Sequence, residues 1–436
     1  MRKIFPILFM MATGPLLGAE PKAFDWPQWR GPDRTGLSKE TGLLKSWPKE
    51  GPEQLWKIEG LGDGYSTPSI SAEKIYLLGT KEKDEYMICL NEKDGSRVWD
   101  VKIGAVVGGY GAPKSTPTID NGFAYAVSSD GNLVSVEIGK GAIKWQKSFK
   151  KEFNGQSGGW AYTESPLIDG DLVICTPGGN TAALVAMKKT DGEVVWKTAM
   201  SGIYRKLQAP RKGKGEKQDK PPEKTTANYS RAGYSSVVQA EIGGVKQYVQ
   251  FIDGGVVGVN AADGKLLWHY EEPANTTANC STPLVRGDFV FAASSYGTGG
   301  GQAKIVKDGS DFKAEQTYFV KEMQNHHGGM VLVGEHIYGT GGSLLCVDFK
   351  TGKIAWDERG VSKGSVTYAD GQLYVRSENG KIALVEANPT KPMINGQFMQ
   401  PDRNPKHAAW PHPVVANGKL YIRDWDILLC YDVKKK

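Results

Sequence analysis

One phrase returns eight times along this chain: a small or proline-containing step, a few apolar residues, a turn, and an apolar strand. It reads Ser66-Thr67-Pro68 before Ile75-Tyr76-Leu77, Ser115-Thr116-Pro117 before Phe123-Ala124-Tyr125, and Ser165-Pro166 before Leu172-Val173-Ile174. It continues at Ser235-Ser236-Val237, Ser281-Thr282-Pro283, Gly329-Met330, Ser365-Val366 and His412-Pro413-Val414. Short strands recurring about every 40 residues mean a radial or linear array. Segments with helical spacing of apolar residues are few, whereas alternation and turn residues recur throughout.

A second phrase closes most units. Gly95…Trp99, Gly141…Trp145, Gly192…Trp196, Gly264…Trp268 and Gly352…Trp356 share one Gly-x-x-x-Trp spacing. Six residues before each glycine stands a small or thiol residue: Cys89, Ser135, Ala186, Gly258 and Cys346. A strand ends, a glycine with positive φ turns the chain, and the next strand begins. The tryptophan on that strand offers a large apolar face to a neighbouring unit. Trp99, Trp145, Trp196, Trp268 and Trp356 are therefore read as structural docking residues.

The chain ends complement each other. The last unit stops at Leu428-Leu429-Cys430-Tyr431 and lacks its Trp strand, while Gln54-Leu55-Trp56-Lys57-Ile58 is a Trp strand with no unit before it. Joining them closes a ring and removes exposed sheet edges. An open solenoid leaves the matching halves unexplained. The expected fold is all-β: an eight-bladed β-propeller over 53–436, closed by the N-terminal strand.

The Gly-x-x-x-Trp repeat resembles the tryptophan-docking motif of the pyrroloquinoline quinone (PQQ) repeat superfamily, over roughly residues 53 to 436. That group includes quinoprotein alcohol dehydrogenases and the propeller lipoprotein of the outer-membrane β-barrel assembly machinery. The leader Asp25-Trp26-Pro27-Gln28-Trp29-Arg30-Gly31-Pro32 is similar to an N-terminal extension of secreted propellers in this group. The resemblance implies a fold more firmly than an activity, because enzymes and scaffolds share the repeat.

Met1-Arg2-Lys3, the apolar run from Ile4 to Leu17, and Gly18-Ala19 read as a secretory signal over 1–19, with an extension over 20–52. The apolar run is short for a membrane span. No cysteine follows it, so no lipidation site is expected, unlike the assembly lipoprotein. The expected location is periplasmic or secreted, with no transmembrane segment in the mature chain, and a monomer. Net charge is +6. Residues 205–228 form a basic, proline-bearing stretch poor in apolar residues, read as a disordered insertion between blades 3 and 4. That stretch and the leader hold the positive excess, so the body is near neutral and nucleic acid is not an expected partner. The five cysteines are read without a disulfide framework: Cys89, Cys346 and Cys430 take small core positions, one per blade, too far around the ring to pair.

Loops entering the innermost strands share one mouth of a propeller channel. Here they carry Tyr65, Tyr110, Trp160, Tyr162, Glu164, Arg231, Tyr234, His326, His327 and His412, besides Cys280 and Lys363. Aromatic rings with a few polar groups suit a small polar ligand such as a sugar. Adjacent histidines on a strand point apart and rarely chelate one ion, and no dedicated metal spacing is present, so no metal is expected. The resemblance raises PQQ with calcium as the alternative cofactor of an alcohol or sugar dehydrogenase. The adjacent Cys-Cys pair typical of those enzymes does not occur in this sequence. The reading is a non-catalytic binding module or scaffold for a small polar ligand or an envelope protein, without a cofactor and with no catalytic residue assigned.

Overall fold

The structure is a computed structural model that describes residues 20–108, 111–200 and 230–436. The signal sequence, Tyr110 and the basic insertion lie outside these residues.

Among the described residues the strands form eight sheets arranged as a β-propeller, each a four-stranded antiparallel blade, with one extra parallel strand added to the seventh. Blades 1 to 4 take residues 69–105, 118–148, 167–197 and 238–270. Blades 5 to 7 take residues 284–320, 331–362 and 364–399. Blade 8 combines Val414–Ala416, Lys419–Asp424 and Ile427–Asp432 with the strand Gln54–Ile58 from the other end of the chain. Trp56 lies directly across from Cys430 in this closing pair, so the ring closes as the complementary ends require.

The repeated phrase has a physical job. Ser66, Ser115 and Ser281 each accept the backbone N–H twelve residues later, of Leu78, Val127 and Ala293, which pins the innermost hairpin. Hydroxyls then tie successive phrases around the ring. Thr118 Oγ1 donates to the Pro166 carbonyl at 2.6 Å, Thr367 Oγ1 to Pro413 at 2.7 Å, and the His412 N–H to Thr67 Oγ1 at 3.1 Å. Ser and Thr are needed there because the buried backbone groups at the start of each short strand must find partners.

The docking phrase joins blades at the periphery. The indole N–H of Trp99, Trp145, Trp196 and Trp356 donates to a carbonyl of the next blade: Ile138, Lys189, Ala261 and Asn388, at 2.8–3.1 Å. The rings of Trp99, Trp145 and Trp196 lie over the next blade's docking glycines. A Cβ at Gly141, Gly192 or Gly264 would sit 2.4–3.1 Å from a ring carbon. Each tryptophan also faces the small residue of its own repeat across the sheet, as Trp99 faces Cys89 and Trp196 faces Ala186. Trp268 instead donates within its own blade, to Gln247 Oε1 at 2.7 Å. Blade 5 lacks the Gly-x-x-x-Trp phrase, having the long strands Gly299–Asp308 and Asp311–Val320. There Tyr318 packs on Gly352, and its hydroxyl donates to the Phe349 carbonyl at 2.8 Å.

Apolar burial follows the same plan, with eight core clusters, one at each junction of neighbouring blades. Cys175, Cys346 and Cys430 are buried in these clusters, Cys89 is buried across the sheet from Trp99, and all five cysteines are free.

The N-terminal extension is part of this core. Trp26 pairs with Ile70 and enters the cluster between blades 8 and 1. Leu37–Ser38 adds a parallel strand to blade 7, and Leu43 and Trp47 fill the cluster between blades 7 and 8. Between these anchors the segment crosses the inner strands. The Trp29 indole donates to Thr282 Oγ1 at 3.0 Å. Arg34 donates to the Ser165 and Pro166 carbonyls at 2.7 and 2.9 Å, and Arg30 to the Gly328 and Met330 carbonyls. Burial pushes the Arg30 guanidinium down to about 9 and that of Arg34 to about 10, so both stay charged at neutral pH. With several N–H donors in one plane, each guanidinium satisfies two carbonyls at the entry to one inner strand, Arg30 at blade 6 and Arg34 at blade 3.

Candidate functional site

Above this crossing segment lies a cavity of about 370 Å³. Trp29 of the extension lines it, with its ring 4.4 Å from that of His412. Two aromatic walls face each other across the ring. On one side Tyr65 packs on Trp410 at 4.4 Å between centroids, with Lys114 5.8 Å above the Tyr65 ring. On the other, Trp160 meets Tyr234 edge to face at 5.5 Å. Such pairs present flat apolar faces, and the polar groups between them set orientation.

The polar edge is built by the loop before blade 6 and the first hairpin of blade 7. His326 Nε2 lies 2.9 Å from the Tyr296 hydroxyl, and His327 Nε2 lies 3.3 Å from Glu378 Oε1. Glu378 also accepts the Trp410 indole N–H at 3.0 Å and pairs with Lys363 at 2.7 Å. His412 Nε2 meets the His327 carbonyl at 2.8 Å. The histidine pair sits in a loop rather than a strand, so the two rings approach to 5.0 Å instead of pointing apart.

Burial and charge set the protonation states. Burial pushes His326 and His412 down to about 3, helped at His326 by His327 and at His412 by Arg30. His327 is lowered for the same reason, against the pull of Glu378. Burial alone would raise the Glu378 carboxyl, but bonds from His327, Lys363 and Trp410 outweigh it and hold the group well below the carboxylate range. Burial lowers Lys114 to about 8, with Glu85 opposing, and raises the Cys280 thiol to about 12. At neutral pH the described residues thus offer the cavity neutral imidazoles and the Glu378 carboxylate, beside the side chains of Lys114 and Lys363.

Of the residues expected at the mouth, Tyr65, Trp160, Tyr234, His326, His327 and His412 line one cavity. Tyr110 lies outside the described residues. Three others sit elsewhere. Tyr162 is buried against Phe149 and donates to the Pro177 carbonyl at 2.8 Å. Arg231 forms an ion pair with Asp253 at 2.7 Å.

Glu164 is buried and accepts the Thr176 N–H at 2.6 Å, the Thr176 hydroxyl at 2.7 Å and Gln250 Nε2 at 3.2 Å. It stands three residues before its inner strand Leu167–Asp169, as Ser66 does before Ser69–Ser71. Aligning Glu164-Ser165-Pro166 with Ser66-Thr67-Pro68 would have shown this. The residue thus holds an inner hairpin, and truncation should cost stability by leaving buried donors unpaired. Burial raises its carboxyl from about 4.5 to about 7, against bonds from Thr176 and the charge of Arg34. The folded pKa exceeds the unfolded one, so the native state holds the extra proton between those values. The resulting stabilisation is complete below about 4.5 and is lost as pH rises to about 7. Glu164→Gln cannot ionise. Its stability relative to wild type should therefore rise by roughly 2–3 kcal/mol across that window. Urea unfolding at its two ends measures this, and a flat difference would mean that Glu164 does not change protonation there.

Sequence reading missed Trp29 and Glu378 as cavity residues. Trp29 precedes the repeats, and Glu378 lies in a turn of blade 7, which lacks the docking phrase; only the three-dimensional path brings either to the mouth.

Calcium-bound PQQ was the alternative cofactor. Calcium takes about six to eight oxygen ligands. Among the described residues the cavity presents one carboxylate, Glu378, already held by Lys363, while Glu164 serves the hairpin. The residues present do not fit that pair of cofactors.

Comparisons with known proteins agree with the repeat. A family model described as "Outer membrane protein assembly factor BamB" matches residues 33–212 and 83–358. The outer membrane protein assembly factor BamB of Shewanella oneidensis is 22% identical over 304 residues, covering 66% of this chain and 67% of its own. The crystal structure of BamB from Moraxella catarrhalis superposes with a TM-score of 0.58 at 13% identity, over 88% of this chain and 98% of that one. The quinohemoprotein alcohol dehydrogenase of Comamonas testosteroni superposes with a TM-score of 0.61, also at 13% identity, over 94% of this chain and 81% of that one. At such identities the superpositions speak for the fold alone, whereas the family model spans most of the chain. A ring of PQQ-type docking repeats matched over that length places this chain in the family described as outer membrane protein assembly factor BamB.

Proposed function

We propose that this protein is a non-catalytic binding propeller of the cell envelope, holding a small, polar, ring-shaped ligand such as a sugar in its mouth cavity. The observation that carries this reading is the cavity itself: two facing aromatic pairs, with hydrogen-bonding groups between them. Rings with polar rims, such as sugars, stack on such faces and bond at their edges. Membership of a family described as an outer membrane assembly factor favours an envelope setting and an envelope protein partner. Among the described residues no helix is long and apolar enough to cross a membrane.

A thermal-shift screen over sugars and quinones tests the reading. A sugar should raise the melting temperature of the wild type. His326→Ala should abolish that shift while changing stability by less than about 1 kcal/mol, because the residue lies at the partly exposed rim. Robust dye-linked oxidation of alcohols or sugars after reconstitution with PQQ and calcium would show the protein to be a dehydrogenase instead.

A further inference from the structure

The polar edge of the cavity holds a second capability. One ring nitrogen each from His326 and His327 and one carboxylate oxygen of Glu378 lie within 4.8 Å of one another. A tetrahedral ion with bonds of about 2.0–2.1 Å needs ligand atoms roughly 3.3 Å apart, so modest side-chain rotation completes the set. His327 has a side chain only 2% exposed, and its Nδ1 has no hydrogen-bond partner among the described residues; the same holds for Nδ1 of His326. Buried polar atoms without partners are costly, and a ligand or ion that supplies the partner removes the cost. The outer contacts are in place as well. Tyr296 orients His326, and Trp410 holds the Glu378 oxygen that faces His327. Contacts of this kind fix the rings and carboxylates that bind metals.

We propose that His326, His327 and Glu378 bind one divalent first-row transition ion, Zn²⁺ by preference, with its remaining coordination open to the cavity. Two imidazoles and one carboxylate suit such an ion and not calcium. Three protein ligands with an open position mark a site that takes up a further ligand rather than a closed structural one. Lys363 is the competitor: its ammonium pairs with Glu378 at 2.7 Å and must swing aside when the ion enters. The site lies in the cavity assigned above to ligand binding, but metal uptake requires no organic ligand. Failure of either reading leaves the other standing.

The test uses the untagged chain, stripped with chelator and titrated with Zn²⁺ by calorimetry and with Co²⁺ by visible absorption. A single equivalent should bind, with the intense d–d bands of four-coordinate Co²⁺. His327→Ala and Glu378→Gln should each weaken binding by about 100-fold or more, beyond the usual loss for an outer-contact residue. Lys363→Met should tighten it about tenfold, by removing a like charge from the site. If His327→Ala fails to fold, the isosteric Glu378→Gln and the opposite-signed Lys363→Met decide. No saturable uptake by the wild type overturns the proposal. So does affinity unchanged within about threefold in both Glu378→Gln and Lys363→Met.

Discussion

Trp196→Ala lowers the stability of the propeller by about 3–5 kcal/mol, the usual cost of truncating a buried aromatic residue. Trp196 is 7% exposed, within the cluster between blades 3 and 4. Its ring covers Gly264, where a Cβ would lie 2.4 Å from a ring carbon, so nothing on that side can collapse into the gap. The indole N–H bond to Ala261 at 3.1 Å is lost too, which leaves a partly buried carbonyl short of a partner. Urea unfolding should show a lower midpoint. Because the contact spans two blades, the change weakens a ring junction and not merely one blade. Trp99 and Trp145 make the same bond while only half-buried, so their truncation should cost less. A loss below about 1 kcal/mol for Trp196→Ala would mean that the docking phrase does not hold blades together.

Removing residues 20–52 has a larger effect: the ring does not fold stably without them. Trp26 and Trp47 are 2% and 7% exposed and sit in different junctions. Losing two buried indoles costs about 3–5 kcal/mol each, and distant losses add. Against a net stability of about 5–15 kcal/mol, little remains. The deletion also strips the backbone pairing at Trp26 with Ile70 and at Leu37–Ser38 with blade 7. It uncovers the carbonyls that Arg30 and Arg34 satisfy, and it removes Trp29 from the cavity. The expected result is insoluble or cooperatively unfolded protein, with native circular dichroism restored in part when a peptide spanning 20–52 is added. A deletion variant that melts like the intact chain would show the segment to be a passive tether.

These two predictions rest on different sources of knowledge. The docking layer was legible residue by residue. A Gly-x-x-x-Trp spacing tells which side chain is large, which position cannot carry a Cβ and which strand comes next. The complementary ends identified the strand of Trp56 and the strand of Cys430 as partners. Even here the repeat misled where it lapsed. Tyr318 replaces the missing tryptophan of blade 5, and the lapse turns Trp268 inward to Gln247.

The candidate site was legible only in part. Residues such as Tyr65, Tyr234 and His412 could be gathered because each shares one address in the repeat, just before an inner strand. Glu164 and Tyr162 share that neighbourhood in sequence, yet a step of one or two residues turns them into the hairpins and cores beneath it. That step is invisible to composition, and register decides it.

The sequence by itself determined the number of units, the closure of the ring and most of the tryptophan layer between blades, because local spacing and turn chemistry recur from unit to unit. Tertiary structure alone decided that the extension crosses the channel, that Trp29 lines the cavity, and that Glu378 meets His327. Those meetings join residues 51 to 300 positions apart, as in His327 with Glu378 and Arg30 with Met330. No repeat encodes such distances; they arise only when the ring closes and the buried groups must find partners across it.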